Sequence, residues 1–256
     1  MQSIKSISIV GSGNVAHHLG KALVGQVKIK SVYSPNFDHC SALANDLFCY
    51  AAESIEGLLP ADLVLICAKD DQIPAIVQQL PEEQKIAYTS GAVALNLIGR
   101  TNDLGVLYPL QTFNKTQDLD LTKVPFFIEA TEDVFAQDLY DLASLLSKKV
   151  VFANSEDRKH LHLAAVMVNN FNNHLVHLAQ SFLKDKKMEW EYLIPLIQET
   201  VSKLESTEPF EAQTGPARRG DINTINAHLD MLEGPSKELY KTISNSILKT
   251  YKHDEL

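Results

Sequence analysis

The sequence predicts an α/β fold, a doubly wound and mostly parallel sheet, followed by an all-α domain. Strand-like and helix-like segments alternate as far as residue 152, which is typical of a parallel sheet covered by helices. From about residue 156 onward only helix-like segments occur. A glycine-rich turn joins the first strand to the first helix. We therefore predict two domains, residues 1–154 and 155–256.

The strands of the first domain are predicted from short β-branched or apolar runs that end in turn residues. The run at 62–68 is nearly all apolar, as expected for a strand that is buried on both faces. The complete set of predicted strands is 4–10, 28–34, 49–51, 62–68, 85–90, 105–108, 126–129 and 150–152.

The helices are predicted from apolar residues that recur at helical spacing. In the first domain they cover 14–24, 37–48, 73–80 and 132–147. A cluster of capping residues at 154–157 then precedes a long helix. The helices of the second domain cover 160–184, 189–204, 221–232 and 235–251.

The first turn has the pattern Gly-x-Gly-x-x-Ala and begins at Gly11. Gly11 permits a tight turn, and Gly13 lacks the side chain that would keep phosphates away from the backbone. Ser12 lies between them, and the N–H groups near Asn14 and Val15 point along the positive end of the helix dipole. Because a strand precedes the turn and a helix follows it, the pattern predicts a Rossmann-like dinucleotide site.

The end of the second strand distinguishes NADP from NAD. An NAD site usually has Asp or Glu about 20 residues after the glycines, where it bonds the ribose 2′-hydroxyl. Ser34 stands there instead, and Ser34 and Asn36 could bond a 2′-phosphate. We therefore predict NADP, with NAD less favoured. Ala68 and Lys69 end the fourth strand and are expected to flank the nucleotide, although Lys69 could equally be a solvated loop residue.

Motifs along the whole chain resemble those of known oxidoreductases. The segments at 11–16, 62–70 and 88–91 resemble the N-terminal domain of pyrroline-carboxylate reductases and deazaflavin-dependent NADP reductases. The segments at 107–113 and 214–221 narrow the resemblance to NADP oxidoreductases whose Rossmann-like domain precedes a helical domain of unknown function. The resemblance implies the fold and the cofactor but no particular substrate.

Related β-hydroxyacid dehydrogenases imply further site residues. In those enzymes a Ser-Gly pair contacts substrate, and a helix carries Lys and Asn four residues apart. Ser90 and Gly91 match the first element, and Asn169 matches the second. Ala165 stands where the lysine is expected, so the usual general acid is missing.

Four residues are candidates for catalysis or substrate binding. Ser90 follows a strand end and could donate to the developing negative charge, or it could cap the next turn. Asn169 and Asn173 lie one helical turn apart and could bind substrate, or they could form hydrogen bonds at a subunit interface. Arg219 could bind a substrate carboxylate, or it could pair with Asp221, which we expect to cap a helix.

No metal site is predicted. A histidine of the long helix could act as the acid, and His162 is one of those available. His174 and His177 share a face of that helix, but no acidic third ligand lies near them.

Composition limits the possible partners. The net charge of −9 and the isoelectric point near 5.4 argue against nucleic acid and against an anionic membrane surface. No apolar run approaches the ~20 residues that span a bilayer. The three cysteines form no Cys-x-x-Cys pair and are expected to be reduced, as is typical of a cytoplasmic protein.

These observations together predict an NADP-dependent oxidoreductase that acts on a small carbonyl or imine compound. We expect a homodimer that forms through the helical domain. The alternative is a dinucleotide-binding regulator or scaffold without catalysis.

Overall fold

The computed structural model describes residues 3–254 and 256; residues 1, 2 and 255 of the predicted domains lie outside the described residues. Eight strands form one sheet with the order β3-β2-β1-β4-β5-β6-β7-β8. All neighbouring strands are parallel except β6 and β7. The strands are β1 Ser6–Val10, β2 Lys28–Tyr33, β3 Tyr50–Ala52, β4 Leu63–Ile66, β5 Ile86–Tyr88, β6 Leu104–Pro109, β7 Phe126–Ala130 and β8 Val150–Phe152. The predicted mostly parallel, doubly wound sheet is therefore confirmed.

Helices cover both faces of this sheet because its central strands are apolar on both sides. Leu63 and Leu65 of β4 belong to the core on one face, and Val64 and Ile66 belong to the core on the other. The helices that follow the strands are α1 Asn14–Leu23, α2 Phe37–Asp46, α3 Ile73–Val77 and α4 Asp133–Ser144. Of these, α1, α2 and α4 pack on the first face and α3 packs on the second.

The next helix, α5 Ser155–Ala165, begins earlier than the predicted residue 160. The side chain of Asn154 explains the difference, because it accepts hydrogen bonds from the N–H groups of Glu156 and Asp157. A π-helical segment, Val166–Phe171, follows α5 and was not predicted.

The remaining helices are α6 Asn172–Asp185, α7 Ile194–Lys203, α8 Pro209–Ala212, α9 Pro216–Arg219, α10 Ile222–Asp230 and α11 Gly234–Thr250. Helices α8 and α9 were not predicted. In α9 a proline in the first turn and Gly220 in the left-handed conformation, φ 68°, limit the helix to one turn. A small core of Ala217, Ile225, Leu229 and Leu248 joins α9, α10 and α11.

The chain divides into two compact units. One extends through Val168 and the other begins at Asn169. The predicted boundary at residue 154 precedes α5, whereas this division follows it. Among the described residues, no helix is both long and apolar enough to cross a membrane.

Candidate functional site

The turn between β1 and α1 requires glycine at position 11. Gly11 has φ +116°, and a Cβ atom there would lie 2.2 Å from the carbonyl oxygen of Cys67. The Gly11 N–H donates to the carbonyl oxygen of Tyr33 at 2.7 Å. The chain is therefore held tightly against both neighbouring strands at this point.

Gly13 leaves the N-terminus of α1 open. It is the N-cap residue and is exposed, and no heavy atom lies within 4 Å of the position that a Cβ would take. It has no side chain to accept hydrogen bonds from the first N–H groups of the helix, which include those of Asn14 and Val15. These N–H groups and the helix dipole form a site suited to an anion.

The side chain of Asn14 contacts a loop that the sequence analysis did not connect with this site. Its Nδ2 donates to the carbonyl oxygen of Phe113 at 2.9 Å, and its Oδ1 accepts from the N–H of Lys115 at 3.4 Å. One turn further along α1, Nε2 of His18 lies 3.0 Å from the carbonyl oxygen of Asn114. The backbone N–H of Asn14 is therefore available to an anion, while its side chain holds the loop.

Ser12 links the glycine turn to the end of β2. Its hydroxyl donates to Oγ of Ser34 at 2.8 Å. Asn36 caps α2, since its Oδ1 accepts from the N–H of His39 at 2.9 Å. The donors that remain at this strand end are the Ser34 hydroxyl and the amide Nδ2 of Asn36.

The end of β4 lies beside the same turn. The N–H of Cys67 donates to the carbonyl oxygen of Val10 at 2.7 Å, and burial raises the pKa of the Cys67 thiol to about 12. That thiol therefore stays protonated and is a poor nucleophile. Ala68 is half-buried and Lys69 is exposed.

Ser90, which follows β5, caps a turn. Its Oγ accepts from the N–H groups of Ala92 and Val93 at 3.1 and 3.0 Å, and the residue is 7% exposed. The hydroxyl retains its own proton for donation. A catalytic role for Ser90 stays a prediction, since these contacts serve the alternative role as a cap.

A buried arginine that the sequence analysis missed holds the Ser90 loop. Arg158 is fully buried, and its Nη1 donates to the carbonyl oxygens of Ser90 and Val93 at 2.9 and 3.1 Å. Its Nη2 lies 2.5 Å from a carboxylate oxygen of Glu129. The hydroxyl of Ser155 donates to the same carboxylate at 2.8 Å. Arg158 is buried, whereas the other residues of α5 are partly or fully exposed.

Tyr108 lies against the residue after Ser90. A Cβ on Gly91 would stand 2.5 Å from Cζ of the Tyr108 ring, so any other residue there would displace the ring. The Tyr108 hydroxyl lies 3.2 Å from Nδ1 of His162 on α5. Tyr108 belongs to the motif at 107–113, and this motif is the sequence feature that could have marked Tyr108 as a site residue.

The other predicted site residues belong to the second compact unit. Asn169, Asn173 and Arg219 are exposed. The guanidinium of Arg218 stacks on the ring of Tyr251 at 3.9 Å, and in the described part of the chain neither arginine forms an ion pair. The expected cap is confirmed, because Asp221 accepts from the N–H of Thr224 at 3.1 Å.

The helical unit also contains a cavity of about 910 Å³. Its walls come from α6, α10 and α11 and are mainly apolar. At one wall Nδ1 of His228 lies 2.7 Å from the Tyr240 hydroxyl. In the residues that the structure describes, no group of three or more His, Cys, Asp or Glu side chains could hold a metal ion.

The structure therefore brings the predicted site residues of the first domain to one edge of the sheet. Gly11, Ser34, Ala68 and Ser90 each follow the carboxyl end of a parallel strand, which is where ligands bind in open α/β sheets.

Comparison with known proteins identifies the family. Residues 124–247 match a family model described as a domain of unknown function, DUF2520. A "putative NADP oxidoreductase" from Bacteroides fragilis is 37% identical to this chain, with a TM-score of 0.89, and the match covers 97% of this chain and 100% of that one. A search of the curated proteins found no match.

More distant structures share the fold. A 1-pyrroline-5-carboxylate reductase from Streptococcus pyogenes is 15% identical, with a TM-score of 0.62, over 96% of this chain and 98% of its own. An imine reductase from Myxococcus stipitatus, in complex with NADP⁺, is 12% identical, with a TM-score of 0.66, over 96% of this chain and 93% of its own. The chain belongs to the same family as the Bacteroides fragilis protein, a family of Rossmann-like oxidoreductases with a DUF2520 domain.

Proposed function

We propose that this protein is an NADP-dependent oxidoreductase that transfers a hydride to or from a small carbonyl or imine compound. The open N-terminus of α1 carries the proposal. Behind Gly11, whose conformation is fixed by Cys67, the backbone at Gly13 leaves a space that any side chain would enter. Such a space beside uncapped helix N–H groups fits a pyrophosphate.

The residues at this edge fit NADP. The backbone of Gly11, Ser12, Gly13, Asn14 and Val15 would hold the pyrophosphate. The cofactor in the name of the Bacteroides fragilis relative, 37% identical, supports the same assignment.

The 2′-phosphate has its own donors at the end of β2. Ser34 and Asn36 would hold it. Position 34 is a serine and not an acidic residue, so no carboxylate is present there to repel the 2′-phosphate. Ala68 and Lys69 would flank the nucleotide, with the exposed ammonium of Lys69 available to a phosphate. NAD, which lacks the 2′-phosphate, would bind less tightly.

NADPH, when bound, supplies a hydride. The chain has to supply substrate contacts and a proton. Ser90 keeps a hydroxyl proton beside the strand edge, and we assign it a substrate contact. Asn169, Asn173 and Arg219 are exposed amide and guanidinium groups, suited to bonding the polar groups of a small substrate.

We further propose that two copies associate through the helical unit. Neither α6 nor α7 has a buried residue, yet both have an apolar stripe. Exposed apolar side chains of this unit include Leu175, Leu196, Val201, Leu204 and Phe210. A homodimer would cover them, and sedimentation of Leu196→Lys against wild type tests this, since loss of the dimer is expected. A wild-type monomer at micromolar concentration would overturn it.

A cytoplasmic location stays a prediction.

The main test is a titration of the purified protein with NADPH and NADH, followed by a panel of ketones, aldehydes and cyclic imines monitored by NADPH absorbance. We expect NADPH to bind more tightly than NADH and at least one compound to turn over. Binding without turnover would favour the regulator or scaffold instead. If neither nucleotide binds, the proposed function is wrong.

A further inference from the structure

We propose that His162 donates the proton in this reaction and that the hydroxyl of Tyr108 fixes the tautomer that makes it a donor. This inference rests on the proposed function. It assigns a role to the motif at 107–113 and to the missing lysine at Ala165, neither of which the proposed function explains.

The position of Tyr108 is constrained on several sides. It lies in β6, which pairs with β5, and its ring covers Gly91. Tyr108 is 8% exposed, so its hydroxyl has little access to water. The hydroxyl therefore sits beside the Ser90 turn, at the edge where the dinucleotide turn also lies.

The direction of the hydrogen bond follows from this burial. A buried hydroxyl needs an acceptor. Among the described residues, the acceptor that contacts the Tyr108 hydroxyl is Nδ1 of His162, at 3.2 Å. Tyr108 therefore donates, and the proton of the neutral imidazole lies on Nε2. Nε2 contacts no hydrogen-bonding partner in the described part of the chain, and His162 is half-exposed.

Charged groups near Tyr108 affect how readily it gives up its proton. Burial raises the pKa of the Tyr108 phenol, Arg158 opposes this rise, and Asp70 adds to it. The phenol is therefore protonated near neutral pH and available as a donor to His162. The guanidinium of Arg158, paired with Glu129, would stabilise a transient phenolate.

Proton transfer from His162 accompanies hydride addition to the substrate. When a hydride adds to the carbon of a C=O or C=N bond, the π electron pair of that bond moves to the oxygen or nitrogen. The Nε2–H bond of His162 breaks, and its proton goes to that atom. The Tyr108 proton moves to Nδ1, which keeps the imidazole neutral. Nε2 of the half-exposed His162 then takes one proton from solvent, and the Nδ1 proton returns to the Tyr108 phenolate. The sum consumes NADPH, the substrate and one proton, and gives NADP⁺ and the reduced product.

The chain contains a matched control. Tyr240 and His228 form the same kind of hydroxyl–imidazole pair within the helical unit. Tyr240→Phe removes the same group as Tyr108→Phe, and each phenylalanine retains the aromatic ring. We expect Tyr108→Phe and His162→Gln to lower turnover about 100-fold or more while NADPH affinity stays unchanged. Tyr240→Phe should leave both unchanged.

A second measurement does not depend on turnover. In ¹⁵N NMR spectra of the full chain, recorded at a pH at which the ring is neutral and with His162 assigned by comparison with His162→Gln, we expect the imidazole proton on Nε2. Tyr108→Phe should move the Nδ1 resonance, and Tyr240→Phe should not. A proton on Nδ1 in the wild-type protein would overturn the inference even if no panel compound reacts.

These outcomes separate the two proposals. If wild type does not bind NADPH, the proposed function is wrong, whatever the state of His162. If wild type turns over a compound and both variants keep its full rate, only the role of His162 and Tyr108 is wrong.

Discussion

The Cα atom of Gly11 faces the carbonyl oxygen of Cys67 so closely that a Cβ would stand 2.2 Å from it. This approach joins the first turn to the end of β4. It also sets the direction in which α1 begins, and thus the position of the N–H groups proposed to hold the pyrophosphate. Glycine at this position is a structural requirement as well as a feature of the ligand site.

Gly11→Ala should therefore destabilise the fold. The positive φ of 116° and the backbone contact act together, and we expect the free energy of unfolding to fall by about 2–4 kcal/mol. Gly25→Ala is the matched control, since Gly25 has φ +81° but no atom near its Cβ position. Chemical denaturation of both variants separates the cost of the positive φ, which both share, from the cost of the contact with Cys67, which only Gly11→Ala would make. Equal losses would contradict the role of Cys67.

Gly13→Ala should weaken NADPH binding more than it destabilises the fold. Gly13 has φ −77° and open space where the methyl group would go. Because Gly13 is the N-cap of α1, where alanine is less favourable than glycine, we expect the free energy of unfolding to fall by about 0.5–1 kcal/mol. NADPH affinity should fall about 10-fold or more, which is 1.4 kcal/mol or more, because the methyl group takes the space of the pyrophosphate. Adenosine 2′-monophosphate has no pyrophosphate and should bind unchanged. Unaltered NADPH affinity would show that the phosphates lie elsewhere.

The sequence pattern was sufficient for the sheet and the glycine turn, since both depend on local signals. The strand at 62–68 could be predicted because its residues are apolar on both faces. Asn36 shows where such reasoning is incomplete, because its side-chain oxygen caps α2 and leaves only Nδ2 for a phosphate. Asparagine before a helix is itself a capping signal.

The contacts between distant segments could not be predicted from the sequence. Tyr108 meets His162 because β6 lies beside β5 and α5 turns one particular face toward that edge. Arg158 is buried for the same reason, although a charged residue is rarely buried without a partner. Its partner Glu129 is 29 positions away and lies on a strand that pairs with β6.

The cofactor preference depends on position 34. Ser34→Asp would place a carboxylate where an NAD site usually has one. We expect NADPH affinity to fall about 10-fold or more by charge repulsion, and NADH affinity to rise. Ser34→Ala, which removes the hydroxyl without adding charge, should weaken NADPH binding less. Calorimetric titration of both nucleotides measures the effect, and an unchanged ratio of their affinities would contradict the proposed 2′-phosphate site.

Arg158→Met tests whether the buried ion pair supports the Ser90 loop. The change leaves the Glu129 carboxylate and the carbonyl oxygens of Ser90 and Val93 without their cation. Removing one partner of a buried pair costs about 3–5 kcal/mol. We expect a loss of that size in denaturant unfolding, and partial recovery when Glu129→Gln is added, because the uncompensated charge is then gone. Arg218→Met is the control, since its contact with Tyr251 is a cation–π interaction worth about 0.5–1 kcal/mol. Equal effects from the two arginines would mean that the Arg158 network contributes no more than a surface contact.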